Sequence, residues 1–184
     1  MRYLSKQQVE SVLHAAYKAS SRDHLMILLG FTHGLRRSEV ARLTLGDVAN
    51  EHIRIFRLKN SLDTTHPLRG SVNILFDEKL ALRTWLGQRE AESKALFPSR
   101  DGRGFISSDM VYLIMRRYMQ AAGIPSELAH PHALKHACCA LQARRGVPIE
   151  RIAQYVGHRD IKNTRIYLGI SDEEAAESAF AALP

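Results

Sequence analysis

This chain of 184 residues has only two cysteines, Cys138 and Cys139, and they are adjacent. Neighbouring cysteines rarely bridge each other, which excludes a disulfide framework and fits a reducing compartment. Long apolar runs are missing too. The longest, Leu25-Met26-Ile27-Leu28-Leu29, falls far short of the roughly 20 residues that cross a bilayer. Met1-Arg2-Tyr3-Leu4-Ser5 carries no signal-peptide pattern. The expectation is a soluble, cytoplasmic protein without a membrane partner. Internal repeats and low-complexity linkers are also lacking, and the length suits one domain with a real core and at most a small appendage.

Acidic residues are few beside the basic ones. Twenty-six Lys and Arg face 19 Asp and Glu, a net charge of +7. Four of the acids (Asp172, Glu173, Glu174, Glu177) lie in the last fourteen residues with no base among them, leaving +11 on the rest. Such an excess favours a polyanionic partner. The plainer alternative is a solvated basic surface.

The patterning is mostly helical. Ser5-Lys6-Gln7-Gln8 reads as a capping box before a periodic stretch through Val9, Val12, Leu13 and Ala16. A second helix starts at 21–23 and is apolar on nearly all sides to Phe31, which places it in the core. Gly34 breaks it, and a short helix carries Glu39, Val40 and Leu43. Ile53-Arg54-Ile55-Phe56-Arg57-Leu58 alternates as a strand does, with Val72-Asn73-Ile74 as its expected partner across a long polar hairpin. Further helices are expected from Asp77, from Ser107 or Ser108, over 132–145, from Pro148 to Gly157 and over 160–167. The fold class is mainly α with a small antiparallel β-sheet (α+β). The expected division is a catalytic-type domain over 1–170 and an acidic segment over 171–184 that forms a last short helix. No separate clamping domain is expected before the first motif.

Three blocks carry candidate chemistry: Gly34-Leu35-Arg36-Arg37-Ser38-Glu39, His132-Ala133-Leu134-Lys135-His136, and Gly157-His158 followed nine positions on by Tyr167. A tyrosine hydroxyl with a pKa near ~10 is about one part in a thousand ionised at neutral pH. To attack a phosphodiester it needs cations around it and a group to take its proton. Arg36, Lys59, His132, Lys135 and His158 are such groups. Singly, each has an ordinary reading as a surface charge or packing residue. Their combination and order are what carry weight.

Taken together these blocks resemble the catalytic motifs of the tyrosine recombinase (phage integrase) family. The resemblance implies site-specific DNA recombination (inversion, resolution or integration of a DNA element) through a 3′-phosphotyrosyl bond, with double-stranded DNA as partner and no cofactor or metal. It assigns Tyr167 as nucleophile, Arg36 to the scissile phosphate, Lys59 as donor to the 5′-oxygen, and His132 to proton exchange or the phosphate oxygen. His158 becomes a further phosphate donor, and Glu39 and His136 support the site. The helices near Arg36 and Arg116-Arg117 are expected to touch DNA, through Arg37, Arg116 and Arg117. Arg57-Leu58-Lys59 followed by Thr64-Thr65-His66-Pro67-Leu68 is similar to the compact members that invert fimbrial promoters. In the family a helix after the tyrosine docks on a neighbouring subunit of a tetramer. The small apolar face of Ala175, Ala176, Ala179 and Phe180 suits that role, and a solvated, frayed end is the alternative.

One position departs from the family: Lys135 stands where arginine is normal. Lysine keeps the charge and loses the planar fork that grips two oxygens. Three other readings compete. His132 and His136 are spaced for zinc, with His130, His158 or Cys139 to complete a site, yet no glutamate lies between them as in a His-Glu-x-x-His helix. A DNA-binding module without catalysis fits Lys135. A type IB topoisomerase shares the phosphotyrosine chemistry.

Overall fold

The structure, a computed structural model, describes residues 3–58 and 61–165. Helix α1 (Lys6–Ala19) opens on the expected box: Ser5 Oγ accepts from the Gln8 N–H and Gln8 Oε1 from the Ser5 N–H. Helix α2 (Ser21–Thr32) is capped by Ser20, one residue earlier than the sequence suggests. Its run from Leu25 to Leu29 is fully buried, as a helix apolar all round must be. It forms the axis of the domain, with α1, α4 (Glu78–Gln88) and α6 (Pro131–Arg144) packed around it. Helix α5 (Ser108–Ala121), capped by Ser107, packs on α1 and on the short α3 (Arg37–Arg42).

The sheet is smaller than expected and paired differently. Strand β1 (His52–Ile55) runs antiparallel to β2 (Thr64–Pro67), with Ile53 opposite His66 and Ile55 opposite Thr64. The expected partner at 72–74 is not a strand. Ile74–Phe76 is a 3-10 turn capped by Asn73, and Val72 is fully exposed. Its apolar residues suggested a strand, but the chain reaches the pairing edge eight residues earlier, at Thr64.

Gly34 takes a left-handed φ of +57° just beyond α2, where a side chain is strained, and so turns the chain sharply into α3. Helix α7 (Ile149–Tyr155) follows Pro148 and ends at Gly157, φ +70°. A short helix, α8 (Lys162–Arg165), comes next. Cys138 and Cys139 are free and buried, and burial pushes the Cys138 thiol up to about 12. Lys59, Tyr167 and the acidic segment over 171–184 lie outside the described residues, as does the end of the helix expected over 160–167.

Candidate active site

The carbonyl ends of α2 and α7 converge, and the candidate residues gather around them. Arg36 is the N-cap of α3, so its side chain leaves the helix at its start. Nη1 donates to Glu39 Oε1 (2.7 Å) and to the Leu58 carbonyl (3.1 Å), and Nη2 to Ser61 Oγ (3.1 Å). Glu39 reaches back to the Arg36 N–H at 2.8 Å, which fixes the turn that presents Arg36. Burial by itself would raise the Glu39 pKa. The Arg36 N–H and the charges of Arg57 and Lys135 outweigh it, so the carboxyl lies below its ordinary value and stays ionised. It thus braces the arginine, as the one-turn spacing suggests.

Lys135 lies within α6 with only 4% of its surface exposed. Its ammonium donates to the Gly34 carbonyl at 2.8 Å and the Val156 carbonyl at 3.3 Å. Burial first, and then the charge of Arg57, pull its pKa down to about 8. An ammonium has three donors. Two are directed at backbone, leaving one for a ligand, where an arginine fork offers a pair.

His158 follows the left-handed Gly157. Burial, then the charges of Lys135, Arg36, Arg57 and His136, depress its pKa to about 4, so it is neutral at physiological pH. Its Nδ1 lies 2.9 Å from the buried Thr164 Oγ1. If the threonine hydroxyl donates there, Nε2 carries the proton and can donate to an anion without the ring being charged. His136 is half-buried on α6, its pKa lowered by burial and then by His132, His130 and Lys135. The exposed His132 sits one turn before it, ring centroids 6.3 Å apart. Among the described residues, no three His, Cys, Asp or Glu side chains come together as a metal site.

Arg36, Glu39, Lys135, His136 and His158 therefore share one electrostatic neighbourhood, with His132 beside it. The expected DNA contacts divide. Arg37 pairs with Asp109 (3.1 Å) on the exposed surface, and Arg37 and Arg116 both flank the ring of Tyr112. Arg117 donates to the buried Asp23 at 3.1 Å, beside the Tyr118 hydroxyl. Its side chain remains largely exposed.

Two features escaped the reading of the sequence. Arg57 is buried, and its guanidinium meets the carbonyls of His33, Gly34 and Tyr155 together with Glu39 and Thr64. The signal was there: in a strand of period two, Arg57 shares the inward parity of Ile53 and Ile55. Beneath it, His66 stacks on Tyr155 (centroids 4.0 Å apart), and its Nδ1 lies 2.9 Å from His33 Nδ1. His33 Nε2 approaches Glu78 Oε1 at 2.9 Å, close enough for an electrostatic contact but off the line of a hydrogen bond. Histidine and tyrosine spaced this far apart in sequence gave no hint of the stack.

A buried carboxylate bracing an arginine, a buried lysine and a neutral histidine donor are chemically able to hold an anionic, phosphate-like group on this mainly helical domain. The fold is that of a recombinase catalytic domain. The crystal structure of XerA recombinase aligns with a TM-score of 0.78 at 23% identity, over 100% of this chain and 66% of that one. The phage integrase family matches residues 2–174, and the chain belongs to that family. It is 38% identical over 175 residues to the type 1 fimbriae regulatory protein FimE of Escherichia coli (strain K12), spanning 90% of this chain and 84% of FimE. To FimB of the same strain it is 37% identical over 173 residues, 90% of this chain and 82% of that protein.

Proposed function

We propose that this chain is a site-specific recombinase that breaks and rejoins double-stranded DNA through a phosphotyrosine bond made by Tyr167. The gathering of Arg36, Lys135 and His158 from three separate elements into one electrostatic neighbourhood, with the buried Glu39 beside them, carries this reading. Such an arrangement stabilises the charge that develops on phosphate oxygens during attack.

The Tyr167 oxygen attacks the scissile phosphorus, and the bond to the 5′-oxygen breaks. Lys59 gives its proton to that oxygen, and the tyrosine proton passes to His132. Arg36 and the remaining Lys135 donor hold the equatorial oxygens, and neutral His158 donates from Nε2. A 5′-hydroxyl from a partner duplex then attacks the phosphotyrosine and restores the DNA backbone. Each step exchanges one phosphodiester for another, so no nucleotide is consumed. Arg37 and Arg116 contact the DNA backbone, where each phosphate contact adds to affinity without reading sequence. Its place is the cytoplasm of a bacterial cell, where chromosomal DNA lies. No helix among the described residues is long and apolar enough to cross a membrane.

Tyr167→Phe tests the reading. It should leave DNA affinity nearly unchanged and abolish covalent protein–DNA adducts on nicked suicide duplexes. Adducts that persist would move the nucleophile elsewhere. The segment over 171–184 would dock on a neighbouring subunit of a DNA-bound tetramer. Truncation after Ile170 should then spare binding of one site and reduce exchange between two, and unchanged exchange would return the segment to a solvated end.

A further inference from the structure

Every guanidinium nitrogen of Arg57 is engaged, and its side chain has no exposed surface. Nε donates to Thr64 Oγ1 at 3.3 Å. Nη1 donates to the Gly34 carbonyl (3.1 Å) and Glu39 Oε2 (3.2 Å). Nη2 faces the carbonyls of His33 (2.9 Å) and Tyr155 (3.1 Å) and Thr64 Oγ1 (3.2 Å). Lys135 takes Gly34 again and adds Val156. Between them the two cations hold the carbonyls of His33 and Gly34, in the turn that ends α2, and those of Tyr155 and Val156, at the end of α7. The two helix ends carry partial negative charge and would otherwise repel at close approach. Arg36 begins two residues after Gly34, and His158 lies two residues after Val156.

We propose that Arg57 is a positioning residue for strand cleavage: with Lys135 it forms one two-cation brace across the carbonyl ends of α2 and α7, and that brace sets the distance between Arg36 and His158. The proposal rests on the reading of Arg36 and His158 as phosphate ligands. Arg57 itself has no donor left for DNA. Its Thr64 acceptor fixes the guanidinium plane, so that the other donors reach both helices at once. Lysine at 57, a single point charge, cannot span the same set of acceptors.

The groups that face Lys135 are Arg36 and Glu39 from α3, Arg57 from the hairpin, His136, Cys138 and Cys139 from its own helix, and His158 beyond α7. After burial, Arg57 is the largest charge acting on it, and both cations donate to the same Gly34 carbonyl. Loss of the Arg57 charge therefore moves Lys135 toward its ordinary pKa. A purely structural arginine would show itself in stability and DNA binding and would leave the alkaline behaviour of the rate where it was.

The test uses the full chain and a nicked suicide duplex, its sequence taken from a random pool by covalent capture on the parent protein. Arg57→Lys, Arg57→Gln and Thr64→Val are compared by single-turnover cleavage, duplex affinity and thermal melting. Misplacement by about an ångström costs roughly a hundredfold in rate. The expected result is a loss of tens of fold for Arg57→Lys and several-fold for Thr64→Val, with duplex affinity within about threefold because many cations share the ground-state contact. In Arg57→Gln the alkaline fall in rate moves above the parent's value near 8. If Arg57→Gln does not fold, the rate–affinity split in the other two variants decides. Parent-like cleavage by Arg57→Lys and Thr64→Val overturns the proposal, as does a loss of rate matched by an equal loss of affinity. Arg36→Ala and His158→Ala serve as controls: if they cleave normally, the functional reading itself has failed, not only the brace.

Discussion

Arg57 and Lys135, 78 positions apart in sequence, donate to the same carbonyl oxygen, that of Gly34, at 3.1 and 2.8 Å. Two buried cations thus meet at one backbone atom. Arg57 bonds four further acceptors around it, and the Lys135 ammonium adds the Val156 carbonyl. The charge at this point is shared between Lys135 of the second motif and Arg57 of the hairpin.

Lys135 gives the first prediction. Lys135→Ala removes a cation and two hydrogen bonds to carbonyls, and cleavage should fall by roughly 2–4 kcal/mol of barrier, the scale of a lost oxyanion donor. Lys135→Arg should cleave as well as the parent or better. The parent rate should also decline as pH rises through about 8, where the ammonium loses its proton, and the arginine form should lack that decline. Single-turnover cleavage across pH 6–10 reads all three. An alanine form that cleaves like the parent would remove Lys135 from the site.

Lys59 gives the second. If it protonates the leaving 5′-oxygen, Lys59→Ala should be slow on ordinary DNA and recover on a duplex with sulfur at that bridging position, because a thiolate leaves unprotonated. Equal impairment on both substrates would make Lys59 a phosphate contact instead.

Acid sensitivity gives the third. Burial, then the charges of His33 and Arg57, hold His66 at about 3, and His158 lies at about 4. Both folded values are below the unfolded ~6.5, so between those limits the unfolded chain binds more protons and stability falls as pH falls. Each such proton contributes at most about 1.4 kcal/mol per pH unit. Glu39 and Glu78, held below their ordinary values, extend the loss under pH 4.5. Urea unfolding at pH 7, 6 and 5 should show the decline, and His66→Gln should flatten it by about one proton. An undiminished slope in that variant would place the titration elsewhere.

Gly157 gives the fourth. A Cβ there would lie 2.5 Å from the Leu62 carbonyl and 3.0 Å from Arg57 Cγ, on a backbone with φ +70°. Gly157→Ala should destabilise by about 2–4 kcal/mol from strain and overpacking together and slow cleavage beyond the effect of lost stability. Gly123 also has a positive φ, but nothing lies within 4 Å of its added Cβ. Gly123→Ala should therefore cost only the backbone strain, about 1 kcal/mol, and leave cleavage intact. Melting and cleavage of the two variants side by side make the comparison.

The helices were legible because their caps and periods are local: Ser5-Lys6-Gln7-Gln8, Ser107, Pro148 and Gly157 all act within a turn or two. The site was legible in part for the same reason, since Arg36 and Glu39 belong to one turn. The strand partner was not. Pairing depends on where a loop returns, and Thr64–Pro67 is polar outside and holds a histidine within, whereas 72–74 carries the apolar residues that suggest a strand. Arg57 was passed over because a charge in a strand is ordinarily placed in solvent, and only the converging helix ends give it a reason to be inside.

The hydrogen bond from the Leu62 N–H to the Gly157 carbonyl, 3.0 Å long, joins hairpin to helix end through main-chain atoms alone. The exposed Leu62 side chain does not specify that joint, whereas its neighbours are tied down: Ser61 Oγ accepts from Arg36 and Asp63 Oδ1 from the Arg57 N–H. Substitution at Leu62 can therefore be tolerated while the seam stays in register. Position 157 has no such freedom. The architecture sets a position open to variation directly against one that is not.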